Sequence, residues 1–372
     1  MSAKLSVGIA LPANHKGGPQ KLTALAALDL ARRGHRVTIF IPFLPYYYYH
    51  VALGRRPASW LRACLPHLRD WLRHRRFSFQ ELLDEEGVRG RVSIRFVPRR
   101  ASKRQLKRLD CLIIHSIAQV VEYRRSFPQE RQVYLLHHPE EWAHGHAETF
   151  IELRNAFAGK ILVISPFTAR QVAGHVSNPP VIPNAIAPAA WSQRQAFDPG
   201  ANRRDILFFW KDFNSAAQGS EIVKALMQMR PGTTLTIWAR GRGYKAAAQE
   251  HFPGVKIVQE LNEQELVNLY LEHSLLMFPS TYEGFGMPPI EALACGCLPV
   301  LRPEVGAAEL YARDGENSVH IDGDPASIAR KMAEILDNPG TLKAMRTAAP
   351  ESVEPFNPNE YGQRLLEAAS IL

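Results

Sequence analysis

The chain has four cysteines in 372 residues, Cys64, Cys111, Cys295 and Cys297, unevenly placed. That scarcity argues against a disulfide framework. Cys295 and Cys297 form a C-x-C without a second ligand pair, in an apolar corner, and read as buried free thiols. No apolar run reaches the roughly 18 residues that a membrane span needs. The opening stretch MSAKLSVGIALPAN is apolar only briefly before Pro12, too short for a secretory leader, and reads as a first strand. A G-x-G-x-x-G turn is missing after that strand, and no metal-ligand motif stands in a suitable context. These absences lead to the expectation of a cytoplasmic chain with no metal, no cofactor and no spanning helix.

Hydrophobic content of 46% with 22% charged residues is ordinary globular composition, and the length suggests two domains. The net charge of +9 is uneven: residues 55–108 hold 16 Lys/Arg against 5 Asp/Glu, leaving the remainder slightly acidic. Such a field suits an anionic membrane surface, an anionic acceptor or nucleic acid. Four tyrosines, Tyr46 to Tyr49, precede a segment in which Trp60, Leu61, Leu65, Leu68, Trp71 and Leu72 fall near helical spacing among arginines. This is either a basic amphipathic helix lying on a membrane or a surface helix whose arginine stems cover its own domain. No nucleic-acid-binding module with interleaved aromatics is present, so nucleic acid is not expected as a partner.

Short apolar runs alternate with helical patterns through the whole chain, which predicts an α/β fold with parallel sheets. Leu5–Leu11, a loop with Gly17 and Gly18, a helix to Arg33, and Arg36–Ile41 make a first strand–helix–strand unit. Val133–Leu136 ends in His137 and His138, with Glu140 and Glu141 close by as looser acceptor-binding candidates. Strand carboxyl ends are where open α/β sheets place ligands, and a histidine there can bind a hydroxyl or move a proton. Ser165 suits a helix cap, and Pro188 to Arg203 reads as an interdomain linker. Strands at Ile206–Trp210 and Leu235–Trp238 are followed by Lys211 and by Arg240 and Arg242.

Residues 278–301 read FPSTYEGFGMPPIEALACGCLPVL, a strand, glycine turn, helix and strand. A helix amino terminus offers unpaired N–H groups and partial positive charge, and glycines before it let an anion approach the backbone. Glu283 and Glu291 repel an anion but accept well from hydroxyls. A ligand carrying both phosphate and hydroxyls is a nucleotide sugar; the alternative is an ordinary strand–helix turn with two solvated glutamates.

Ser280, Glu283, Gly284, Phe285, Gly286, Glu291, Ala292, Ala294 and Gly296 stand as in the E-x7-E signature of family 4 retaining glycosyltransferases, which this stretch resembles. The opening with Gly17-Gly18 and the segment Val181-Ile182-Pro183-Asn184 are similar to that family as well, with Ala185 in place of a usual glycine. Gly306 and Glu309 resemble a reduced G-G-x-x-E element. The resemblance implies a GT-B architecture: two Rossmann-like domains facing each other across a cleft. Residues 1–187 would form the acceptor domain, 188–355 the nucleotide-sugar donor domain, and 356–372 a helix crossing back to the first. The family often carries an arginine after the first strand of the donor domain and a Lys-Gly before the following helix, holding the diphosphate. Here Gln218-Gly219 stands at the Lys-Gly position, so Lys211, or else Arg240 or Arg242, would supply charge.

The reaction implied is transfer of a sugar from a nucleotide-diphosphate donor to a hydroxyl, with retention and without metal. Gly284, Phe285 and Gly286 would contact it through the backbone, Glu283 would take the sugar hydroxyls, Glu291 the ribose, and His137 or His138 would line the sugar. Gly17 and Gly18 would lie near donor and acceptor. The acceptor is expected to be a glycan or lipid-linked molecule of the cell envelope, with the enzyme peripheral on the inner membrane face. A small-metabolite acceptor, or a nucleotide-sugar epimerase of the same fold, is the alternative.

Overall fold

Aliphatic runs of four to seven residues are too short for stable helices and instead form buried parallel strands here. A computed structural model of the chain describes residues 4–13, 18–43, 79–84, 88, 90–138, 151–152, 154–174, 176–211, 213–240 and 243–371. The chain divides into two units, Met1–Ala185 with Pro358–Leu372, and Ile186–Asn357. Gly17, Arg242, Glu140, Glu141, the tyrosine run and the tryptophan-bearing segment lie outside the described residues.

The first unit runs β1 (Ser6–Ala10), α1 (Gly18–Arg32), β2 (Arg36–Pro42), β3 (Val92–Val97), α2 (Lys103–Leu106), β4 (Cys111–Ile114), α3 (Ile117–Tyr123), β5 (Gln132–Leu136), β6 (Lys160–Val163) and α4 (Pro166–Val172). Its sheet is parallel, in the order β3-β2-β1-β4-β5-β6. Val7, Ile9, Ile39, Ile41, Ile113 and Leu135 are buried on its faces. Each such side chain contributes roughly 1.5–3 kcal/mol. Hydroxyl caps start the short helices: Ser116 accepts from the Gln119 N–H and Ser165 from the Thr168 N–H.

The second unit runs α5 (Pro188–Gln193), β7 (Arg204–Trp210), α6 (Phe213–Met229), β8 (Leu235–Ala239), α7 (Tyr244–His251), β9 (Lys256–Val258), α8 (Glu263–Glu272), β10 (His273–Phe278), α9 (Met287–Ala294), β11 (Leu298–Leu301), β12 (Val319–His320), α10 (Pro325–Asp337) and α11 (Pro339–Ala348). Its sheet is also parallel, in the order β12-β11-β10-β7-β8-β9. Counted along the chain, this is the strand order of the first sheet again. Asn262 and Glu265 form a reciprocal capping box at the start of α8.

Residues 188–203 depart from the expected linker. Pro188 opens the helix α5, Ala190 is buried, and the Ala189 N–H donates to Glu263 at 3.2 Å. Too short to show a period, this turn is fixed by tertiary contact and belongs to the second unit. The last helix, α12 (Tyr361–Ala368), belongs to the first unit and packs on α1. The Gln363 N–H donates to the buried Asp29 carboxylate at 2.9 Å, and Arg32 donates to the Asn359 side chain at 2.7 Å.

Candidate functional site

In an open parallel sheet the strand order reverses where neighbouring strands send their connections to opposite faces, and a crevice opens there at the carboxyl ends. In the first unit that point lies between β1 and β4. Gln119 bridges it, donating to the Ala10 carbonyl at 2.7 Å and accepting from the His115 N–H at 2.8 Å. The His115 ring lies parallel to His137, with Nδ1 2.8 Å from His137 Nε2, and its own Nε2 is 3.3 Å from Thr23 Oγ1. Two ring nitrogens at that distance need one donor and one acceptor, so the contact requires at least one neutral ring. Burial pushes His115 down to about 4. Burial, then the neighbouring His115 and His138, push His137 well below the ordinary histidine range. Both rings are therefore neutral near pH 7. His138 follows as a half-buried side chain. Gly18 is the exposed first residue of α1.

In the second unit the reversal lies between β7 and β10. Lys211 follows β7, and Ser280 and Glu283 follow β10. Lys211 Nζ is 2.6 Å from Glu283 Oε1, which also accepts from Ser280 Oγ at 3.0 Å. With Lys211 38% exposed, this pair adds under about 1 kcal/mol and can open for a ligand. Arg240 stands exposed one strand away, at the end of β8.

The glycine turn ends at Gly286, which caps α9 at φ 83°, a conformation open to glycine and strained for other residues. Pro288 and Pro289 fall in the first turn of α9, where no intrahelical N–H bond is lost. The Phe285 ring is buried edge-on against Phe356, and its carbonyl accepts from the Ala307 N–H at 2.8 Å. Gly284 is half-buried beside it. Glu291 lies on α9, largely buried, with Tyr270 Oη 3.5 Å from its Oε2.

Two residues gain roles that the sequence reading did not give them. Arg302, the first residue after β11, donates to Gln218 Oε1 and lies with Ser280, Phe285 and Gly286 around one small cavity. Its other partner, Glu304, is 3.8 Å away and 62% exposed, a weak counter-charge. Arg302 Nε is buried without a partner. Lys211 is thus matched by a carboxylate, whereas Arg302 rests on a neutral amide and keeps its charge available. Gly219 proves to be a packing residue: a Cβ there would lie 2.7 Å from Pro279 and 2.8 Å from Phe208. Arg302 was findable from its place just past a strand, and His115 likewise.

Among the described residues no group of three or more His, Cys, Asp or Glu could hold a metal ion. The two carboxylates of Asp322-Gly323-Asp324 have structural partners. Asp324 caps α10, and Asp322 pairs with Lys331 at 3.4 Å. Cys295 and Cys297 are buried, and burial pushes both thiols up, Cys297 to about 12. No described helix is long and apolar enough to cross a membrane.

Residues 201–352 match the family model described as Glycosyl transferases group 1. That match takes in about two fifths of the chain and lies within its second unit. A D-inositol 3-phosphate glycosyltransferase of Streptomyces bingchenggensis is 38% identical over 95 residues, 25% of this chain and 21% of that protein. The D-inositol 3-phosphate glycosyltransferase 1 of Catenulispora acidiphila is 34% identical over 113 residues, 30% of this chain and 27% of that protein. The chain thus matches only about a fifth to a quarter of the length of these curated relatives. Among solved structures, Anabaena HepE in complex with UDP-glucose superposes with a TM-score of 0.66 at 16% identity, covering 99% of this chain and 100% of that one. A glycosyltransferase from Rickettsia africae gives 0.69 at 14% identity, covering 99% and 98%. At such identities the likeness is one of fold, and the fold shared with these structures is GT-B.

Proposed function

We propose that this chain is a retaining glycosyltransferase that moves a sugar from a nucleotide-diphosphate donor to a hydroxyl of a glycan or lipid-linked acceptor without a metal ion. The observation that carries the reading is the charge arrangement at the second switch point: Lys211 held by Glu283 beside the Gly286 turn, with Arg302 poorly countered. The donor diphosphate would take the α9 amino terminus and the Arg302 guanidinium, which stabilise the charge of the departing nucleotide. Glu283 and Glu291 would accept from sugar and ribose hydroxyls, and Gly284 and Phe285 would offer backbone contact. When a donor enters, the Lys211–Glu283 pair would open, freeing Lys211 for phosphate and Glu283 for the sugar.

In the first unit, His137, held neutral chiefly by its burial and then by His115, can accept from or donate to a sugar hydroxyl, with His138 beside it. Gly18 opens α1, the helix that follows β1 at the same reversal. Arg240 would serve the nucleotide from the neighbouring strand. A small phosphorylated polyol as acceptor is a second reading, favoured by the similarity to the D-inositol 3-phosphate glycosyltransferases.

The test is a panel of UDP-, GDP-, ADP- and dTDP-sugars in a thermal-shift assay, followed by radiolabelled transfer with and without chelator. A stabilising nucleotide sugar, chelator-insensitive transfer and an unchanged anomeric configuration in the product are expected. If no nucleotide sugar raises the melting temperature, the donor-site reading fails. Turnover without an acceptor would favour the epimerase.

A further inference from the structure

The first sheet carries a second feature, at the opposite ends of its strands from His115 and His137. Ser6 begins β1, Arg36 begins β2, and Arg91 and Ser93 lie at the start of β3. Together with Arg95, Arg104 and Arg108 they line a groove of about 590 Å³. The groove lies mainly over β2 and the edge strand β3, whereas the crevice opens on the other side of β1, between β1 and β4. The groove is therefore separate from the switch-point crevice of its own sheet.

Among the described residues five arginines face this groove and no carboxylate lines it. Arg91 is engaged with the Ala31 carbonyl at 3.1 Å. Arg36, Arg95, Arg104 and Arg108 are exposed, and among the described residues none has a hydrogen-bond or ion-pair partner for its side chain. The adjacent carboxylate, Asp110, accepts from the Ser6 N–H at 2.7 Å and faces Arg131 at 3.9 Å. Four unmatched guanidiniums spread over two strands and the α2 segment repel one another, an arrangement that several spaced anionic groups would relieve.

We propose that this groove binds a linear anionic polysaccharide, holding a remote stretch of the acceptor chain. The assignment rests on the glycan-acceptor reading above. Three features favour this occupant. The lining includes the hydroxyls of Ser6, Thr38 and Ser93, suited to sugar hydroxyls. Its one aromatic, Phe40, is buried, so no ring is offered for stacking a nucleic-acid base. The site is a recess, which a strand can enter and a flat lipid surface cannot.

The experiment measures binding of labelled oligogalacturonate, single-stranded DNA and phosphatidylglycerol vesicles at one ionic strength. It compares the wild-type protein, the groove variant Arg36→Ser/Arg95→Ser/Arg104→Ser, and the equally discharged control Lys245→Ser/Arg330→Ser/Lys343→Ser. Charge-assisted contacts of about 1.5–3 kcal/mol each predict at least a tenfold loss of oligogalacturonate affinity in the groove variant, with the control within about twofold of wild type. Melting temperature and the nucleotide-sugar shift stay unchanged in both, so failure here is distinct from failure of the donor site. Equal loss in the two variants, or loss in neither, overturns the proposal. So does groove-dependent binding of DNA or vesicles without oligogalacturonate binding.

Discussion

At the first switch point two neutral histidines touch at 2.8 Å; at the second, a lysine and a glutamate pair at 2.6 Å with an arginine beside the same turn. The sheets behind these points share one strand order. The difference teaches that the fold supplies the crevice and the residues just past five strands set its character: uncharged imidazoles in one unit, and mobile charge in the other. A diphosphate has reason to sit only in the second.

The sharpest way to break this contrast is to remove charge from the second unit. Arg302→Gln should lower kcat/KM for nucleotide-sugar turnover by about 10²–10³, as loss of a preorganised charge-stabilising group does. Arg95→Gln, in the first unit, should leave the rate on a short acceptor within about twofold, since it is exposed on the edge strand β3, two strands from β1 and the crevice. Equal effects from both would dissolve the contrast.

Acid should strike the first unit harder, since burial lowers His35, His115 and His137 there and, among the described residues, His273 in the second. His115 has a folded-state value of about 4 against an ordinary 6.5, so the unfolded chain binds more protons between those values. Stability is then fully present above pH 6.5 and is lost as pH falls toward 4, on the order of 3 kcal/mol for this group. Melting temperatures across this range should fall steeply for the wild type and less steeply for His115→Asn. A parallel pH slope in the variant would remove His115 from the account.

Glycines extend the comparison to packing. Gly219→Ala puts a Cβ 2.7 Å from Pro279, so overpacking of about 1–3 kcal/mol, less a helix-propensity gain of about 1, should lower the urea midpoint. Gly18→Ala meets nothing within 4 Å and should leave that midpoint nearly unchanged. Smallest of all, Asn262→Ala and Ser116→Ala each remove a helix cap and should cost about 1 kcal/mol by chemical denaturation. Similar losses are expected in both units, because capping is indifferent to the switch-point chemistry.

Much of this was legible in the sequence because buried parallel strands and glycine-broken helix starts are local signals. Arg36–Ile41 was expected as a strand and lies within β2, and Ser165 caps the helix expected of it. The α5 turn was hidden because six residues carry no readable period. The partner of Gln218 was hidden for another reason: residues 218 and 302 are distant in sequence and meet only when β11 places Arg302 beside α6. Likewise, Lys211 could be seen as a cation but not as one already matched by Glu283. Sequence places residue types at strand ends, and the strand order then decides which of those ends become neighbours.

The return of α12 to α1 has a consequence in time. A chain made from its amino terminus completes the second unit before the last element of the first has been synthesised. Until Gln363 arrives to donate to Asp29, that buried carboxylate lacks the backbone donor from α12 and keeps its pair with Arg33, at 2.8 Å, and the face of α1 that receives α12 is bare. The unit that starts first is therefore the one that finishes last, and a nascent chain would carry an open flank on its oldest helix throughout the making of its second half.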